Sequence, residues 1–334
     1  MPKATIRDVA ARAGVSTATV SRALSGARPV SPEVAELVRR AAADLGYSGN
    51  GIASALRRNR TDTVGMVVPS IANPFFTALV ESVEHALQDA GQQLFLCSSR
   101  SDPALEAQRL RSLVARQVDG IVISPVHGTE STEAVAWAAR ELPLVQVDRY
   151  VTGVDSDWVG VDDDTALRLV VDHLAGRHVR SAAFVSSQLT NSSTELRLAG
   201  FQQHTDRAGI AVEDGQVLLG EYSIAWGRTA GERILRSAHR PDAVVCADDL
   251  IAFGVLQACH DLGLDVPGDV LVTGFDDIPY AALSAPPLTT IHQPQEQIAA
   301  EAVRLLQRAL GREAGPPTRI ALPPDLVVRQ STGR

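Results

Sequence analysis

Aromatic side chains make up only 4% of this 334-residue chain, and cysteine is scarcer still, with three in all. Cys97, Cys246 and Cys259 are too widely spaced for a C-x-x-C pair, which argues against a disulfide framework or a thiolate metal site and predicts buried free thiols. No uninterrupted apolar run approaches the roughly 20 residues of a membrane span, and the opening MPKATIRD has no apolar signal core, so a soluble cytoplasmic protein without a membrane partner is expected. The H-E-x-x-H, P-loop, G-x-S-x-G and G-x-G-x-x-G patterns are absent and the eight histidines are scattered, so neither an enzyme nor a metal or organic cofactor is expected.

Net positive charge is also missing from most of the chain and confined to its start. Residues 1–60 carry ten Lys and Arg against four acids, a net of +6, whereas the whole chain is −8, which leaves −14 on the other 274 residues. A basic end on an acidic body suits phosphate contact by a small head and a separate function for the remainder.

The head begins TIRDVAARAGVSTATVSRALSG, from Thr5 to Gly26. Thr5 is a helix cap with Asp8 three residues on, and Ile6, Val9, Ala10 and Ala13 fall on one helical face. Gly14 supplies the positive φ of a tight turn, Val15 points inward, and Ser16 caps a second helix to about Leu24. There Val20, Ala23 and Leu24 form the apolar side, leaving Thr17, Ala18, Ser21 and Arg22 together on the other. A third helix starts at Ser31 and Pro32, with the stripe Val34, Leu37, Val38, Ala41 and Leu45, and Tyr47 covers its end. A polar face on such a pair can simply meet water; the local charge favours DNA instead.

Past Thr61 the pattern alternates strands and helices in two series, separated near residue 162, which predicts an α/β body of two doubly wound parallel sheets. The late segments LTTIHQP, RIALPP and DLVVRQ suggest that the chain crosses back between the two subdomains. Polar residues gather at strand ends: Ser70, Asn73, Asp148, Arg149, Asp248, Asp249, Asp276 and Asp277, with Gln293 in the crossover. The few aromatics Phe75, Phe76, Tyr222, Trp226 and Phe275 fall nearby. Ligands of such sheets sit beyond the carboxyl ends of strands, and this chemistry suits a polar ring such as a sugar or nucleoside. Strand-end aspartates also cap helices, as expected of Asp164 and Asp249.

Head, hinge and body together resemble the lactose-repressor/galactose-repressor (LacI/GalR) family of bacterial transcription regulators. The resemblance is carried by the head segment, by TDTVGMVVPSIANPFF, and by VDR, RLAGF, GFDD and PPLTTIHQP. It implies a helix-turn-helix head over 1–47, a hinge over 48–61 and a periplasmic-binding-protein-like core over 62–334. The implied subdomains are about 62–162 with 293–322, and 163–291 with 323–330. It implies that Thr17, Ala18 and Arg22 face base edges, that Ser16, Thr19 and Ser21 meet phosphates, that Thr5 and Asn50 complete the DNA-binding set, and that Leu56 enters the minor groove. It further implies effector contacts by Phe75, Asp148, Arg149, Asn191, Ser193, Arg197, Tyr222, Asp248, Asp276 and Gln293.

The partners implied are double-stranded operator DNA, a small-molecule effector, with a sugar favoured over a purine, a nucleoside or a protein corepressor, and a second copy in a homodimer. A solute-binding protein would share the body but would have no use for a basic head. Where many relatives have asparagine, Asp248 adds a charge and removes donors, which favours a hydroxyl-rich or cationic ligand. The hinge departs from the usual pattern at Gly49, Gly51 and Ser54, so a hinge that orders only on DNA is expected.

Overall fold

The computed structural model describes residues 4–25, 30–47, 60–311 and 315–333. The expected hinge positions Gly49, Asn50, Gly51, Ser54 and Leu56 lie outside them. The chain divides into two compact units, Met1–Asp62 and Thr63–Arg334.

The first unit holds three helices, α1 (Ile6–Ala13), α2 (Thr17–Ser25) and α3 (Pro32–Asp44). Thr5 opens α1 by donating its backbone N–H and its hydroxyl to Asp8 Oδ2, each at 2.7 Å, and Gly14 closes the helix at φ +66°. Ser16 Oγ accepts from Thr19 N–H at 3.1 Å, and Ser31 Oγ from Val34 N–H at 3.3 Å. The core is Val9, Ala10, Ala13, Val20, Val38, Ala41 and Ala42, with Ile6, Val15, Ala23, Val34 and Tyr47 packed against it. Three members of the expected stripes depart from it: Leu24, Leu37 and Leu45 are 39%, 50% and 36% exposed. Three short helices enclose one narrow seam, and side chains at its margins find no fourth wall.

The second unit has two lobes. In the first lobe β1 (Thr63–Val68), β2 (Gln93–Ser98), β3 (Gly120–Ile123), β4 (Leu144–Val147), β5 (Asp157–Val161) and β11 (Arg319–Leu322) form a parallel sheet in the order β11-β5-β4-β3-β1-β2. Helices α4 (Pro74–Asp89) and α11 (Gln295–Leu310) pack on one face against Val64, Met66 and Val68. On the other face α5 (Pro103–Ala115) and α6 (Thr132–Glu141) pack against Val67, Ile121 and Ile123. Alternate residues of each buried strand thus feed two cores, as a doubly wound sheet requires. The strand β5 was not expected from the sequence; its five residues DWVGV include a glycine, Gly160, and no long apolar run.

The second lobe has β6 (Ala182–Ser187), β7 (Val217–Gly220), β8 (Ala243–Cys246) and β9 (Leu271–Thr273) in the parallel order β7-β6-β8-β9. Helices α7 (Asp163–Gly176) and α8 (Ser192–Ala208) cover one face, and α9 (Ile224–Leu235) and α10 (Asp249–Asp261) the other. The α9 and α10 backbones touch: a Cβ on Gly227 would lie 2.1 Å from Ile251 O, and one on Gly254 equally close to Ile224 O. The chain then crosses to α11 and β11 of the first lobe and returns through β12 (Asp325–Val327), antiparallel to β10 (Thr290–His292). The three cysteines are free and buried. Among the described residues no helix is long and apolar enough to cross a membrane.

Candidate DNA-reading face and effector cleft

The head's polar residues are displayed. Ser16, Thr17, Ala18 and Arg22 are exposed, Thr19 and Ser21 half-buried, and Thr5 is exposed at the start of α1. Arg22 Nε donates to Ala18 O at 3.2 Å, holding the guanidinium stem against its own helix. Val20 is fully buried on the opposite side and fixes which face α2 presents.

In the body, polar side chains are buried together where the strands of both lobes end. Phe75, Asp148, Arg149, Ser193, Arg197, Tyr222, Asp248 and Asp276, expected from the sequence, line one cavity together with Asn73 and Phe76. The residual space is about 10 Å³, room for about one water. The lobes are tied across it by Gly128 N–H to Thr190 O at 2.6 Å and Tyr150 N–H to Ser192 Oγ at 3.0 Å. Asn191 and Gln293 stand one layer back. Asn191 Oδ1 caps α8 through Thr194 N–H at 3.1 Å, and Gln293 Nε2 donates to Asp276 Oδ1 at 2.7 Å.

Arg197 is the hub. Its Nε donates to Asp163 Oδ1 at 2.8 Å and its Nη1 to Ala247 O at 2.7 Å, Asp276 Oδ1 lies 3.9 Å away, and the guanidinium sits 3.5 Å from the Phe275 ring centre. Burial works against its charge, but Asp163 and Asp276 more than offset this and hold it above the usual arginine value. Burial likewise pushes the Asp163 carboxyl up to about 6 against the pull of Arg197, and raises Asp276 well above the ordinary carboxylate range. Arg149 lies 3.5 Å from Asp148 Oδ2 and over the rings of Phe76 and Tyr222, at 5.6 and 5.2 Å.

Two of these aspartates occupy backbone conformations that favour glycine, with φ +59° at Asp148 and +106° at Asp276. Asp148 is held by Ser124 Oγ donating to its carboxylate at 3.2 Å, and Asp276 by its own N–H on Ile291 O at 2.9 Å. Helix capping falls one or two residues away from the expected positions. Asp162, not Asp164, caps α7, and Asp248, not Asp249, caps α10. Asp249 instead accepts from Ile278 N–H at 2.8 Å and Thr290 Oγ1 at 2.6 Å, while Asp164 turns outward to His204 Nε2 at 2.9 Å.

Residues 5–50 match the bacterial regulatory proteins of the lacI family, and residues 171–332 match the periplasmic binding protein-like domain. The ribose operon repressor of Escherichia coli (strain K12) is 32% identical over 328 residues, 98% of this chain and 99% of that protein. The chain belongs to the lacI family of bacterial regulatory proteins. Another lacI-family relative, the HTH-type transcriptional repressor PurR of Histophilus somni (strain 129Pt), is 30% identical over 328 residues and covers 98% of both proteins. The lac repressor dimer bound to operator and the anti-inducer ONPF matches with a TM-score of 0.90 at 27% identity, covering 100% of each chain. The lacI-family chain described here is therefore a DNA-binding transcriptional regulator with an α/β effector-binding core.

Asn73 and Phe76 were visible in sequence as strand-end polar and aromatic residues, although the family resemblance did not single them out. Asp163 had no sequence signal beyond its place in the run Asp162-Asp163-Asp164.

Proposed function

We propose that this regulator is a non-enzymatic repressor of a carbohydrate-utilisation operon whose operator affinity is set by a sugar in the cleft between the two lobes of its body. The observation that carries this reading is the set of buried polar atoms left without a hydrogen-bond partner in the cleft: Arg149 Nε, Ser193 Oγ and Asp248 Oδ2. A donor, a hydroxyl and an acceptor converging beside aromatic rings suit a polyhydroxylated ring. A stacked nucleobase fits less well, since Arg149 already covers the faces of Phe76 and Tyr222. The ribose operon repressor among the relatives makes D-ribose the first sugar to try.

In this reading the head spans 1–47, the hinge 48–61 and the core 62–334, within the cytoplasm. Thr17, Ala18 and Arg22 read base edges, and Thr5, Ser16, Thr19, Ser21 and Asn50 contact the backbone, with Leu56 in the minor groove. A homodimer places two heads on a near-palindromic operator. The open edge strand β2 supports pairing with a second copy, because Phe95 and Leu96 are each 40% exposed there beside Ile71 at 57%.

A mobility shift on DNA upstream of the protein's own gene, with and without D-ribose at fixed salt, tests the reading. The expected result is a salt-sensitive specific complex whose affinity changes with sugar. Binding no tighter than to unrelated DNA would defeat it.

A further inference from the structure

Outside the cleft, the first lobe holds a second cavity, of about 580 Å³, where β1 and β2 end at the open edge of the sheet. That volume suits a small molecule. Arg100 and Arg109 both line the cavity, yet no Asp or Glu does, although the body as a whole is acidic. Arg109 Nε is buried without a hydrogen-bond partner, and among the described residues neither arginine forms an ion pair. Arg116, just past the end of α5, lies 5.3 Å from the ring centre of Phe95, another residue of the wall. The positive field also reaches Cys97 on β2: burial raises its thiol, while Arg109 and then Arg116 pull it down.

We propose that this cavity is an anion site: it takes a small molecule bearing a phosphate or a carboxylate, held by Arg109 and Arg100, and the bound anion strengthens the pairing of two copies through β2. The Nε–H of a guanidinium and the Nη–H beside it are two parallel donors that match two oxygens of one phosphate or carboxylate. An anion bound in this way satisfies the buried Nε and supplies the counter-charge that the wall lacks. Ser98 and Ser101 offer hydroxyls to further oxygens, and the apolar side chains Ile71, Phe95 and Leu96 suit a carbon skeleton. Those three apolar side chains are also the patch offered to a second copy, so the second half of the proposal rests on that pairing. Pairing takes water away from the arginines and raises the cost of leaving them without a counter-charge. An anion removes that cost, so anion binding and pairing favour one another.

Titration calorimetry on the full-length protein, at constant ionic strength with chloride as the balancing anion, tests the site. The probes are inorganic phosphate, glycerol 3-phosphate and citrate, with glycerol as the neutral control. They separate free phosphate, a phosphoryl group on a carbon skeleton and a carboxylate. At least one anion is expected to bind with a dissociation constant below about 1 mM, and glycerol not to bind. Arg109→Gln, and Arg100→Gln at an exposed position that leaves folding intact, should each weaken that anion at least about ten-fold. Arg109→Lys keeps the charge without the fork and should fall between. No binding by any of the three anions, or binding undiminished in both Gln variants, as the basic head alone would give, overturns the proposal. Sedimentation equilibrium with the tightest-binding anion reads the coupling. Saturating anion is expected to lower the dimer dissociation constant at least about five-fold in wild type and to leave it unchanged in Arg109→Gln. A bound anion that does not move the dimer overturns the coupling. A chain that stays monomeric with and without anion overturns the pairing through β2 and the coupling with it, while the anion site stands or falls on the calorimetry.

Discussion

The head and the body treat polar side chains in opposite ways. Among the described residues of the head, every buried side chain is Val or Ala, and the polar faces are turned outward. The body buries charge: Asp148, Asp163, Asp248, Asp249 and Asp276 are each less than 9% exposed, together with Arg197. A surface that must meet a hydrated polyanion keeps its donors in water until contact, whereas a site for a small ligand must be dry enough for each hydrogen bond to discriminate. The head therefore has a thin core with a simple energetic basis, and the body has a thick one interrupted by a cluster whose charges depend on one another.

That contrast can be broken by mutation. The largest effect is expected from Arg197→Leu, which leaves Asp163 and Asp276 buried without their counter-charge and should cost the body about 3–5 kcal/mol in urea unfolding. Hydrogen exchange in the head should be unchanged; a parallel loss there would mean that the two units do not unfold separately. Next, Arg22→Ala should weaken specific operator binding by about 1–3 kcal/mol, read by fluorescence anisotropy, while the melting temperature stays put. Loss of nonspecific binding alone would assign Arg22 to phosphate rather than base. Val38→Ala removes two methyl groups from the fully buried centre of the head and should cost about 2 kcal/mol, seen as faster amide exchange across the three helices while sugar binding persists.

The smallest effect is a pH response of opposite sign in the two units. Burial raises Asp163 and Asp248 to about 6, so their contribution is lost as pH rises through 6, and the body should melt higher at pH 5 than at pH 7.5. Asp8 is lowered by its hydrogen bonds from Thr5, so its contribution to the head is present above the ordinary 3.8 and is lost as pH falls below it. Exchange rates of head and body amides across pH 3 to 8 would show both trends; a shared direction would refute the contrast.

The sequence made the body's site more legible than the margins of the head. Asp148, Asp248 and Asp276 follow strongly apolar strands, and strand ends in doubly wound sheets converge, so the strand pattern itself located them. Periodicity could not choose among Asp162, Asp163 and Asp164, because three adjacent carboxylates make equally good caps by type, and only the chain's entry into α7 decides which one turns inward. It also placed Leu37 and Leu45 in a core stripe; the stripe exists, but three helices are too few to cover its edges. Asn191 and Gln293 were implied as effector contacts by the resemblance but do not line the cavity: Asn191 caps α8 through Thr194 N–H, and Gln293 supports Asp276, which does line it. The short strand β5 escaped notice because its burial comes from β4 and β11 on either side rather than from its own composition.

The account's central claim is that a ligand in the cleft alters how the head holds DNA. The most direct test is operator affinity of wild type and Asp276→Ala, each with and without saturating D-ribose at one salt concentration. The account predicts that sugar changes the wild-type affinity by about ten-fold or more, and that the variant binds operator alike but ignores the sugar. Wild-type affinity unmoved by sugar that calorimetry shows to be bound, or an undiminished response in Asp276→Ala, would contradict it.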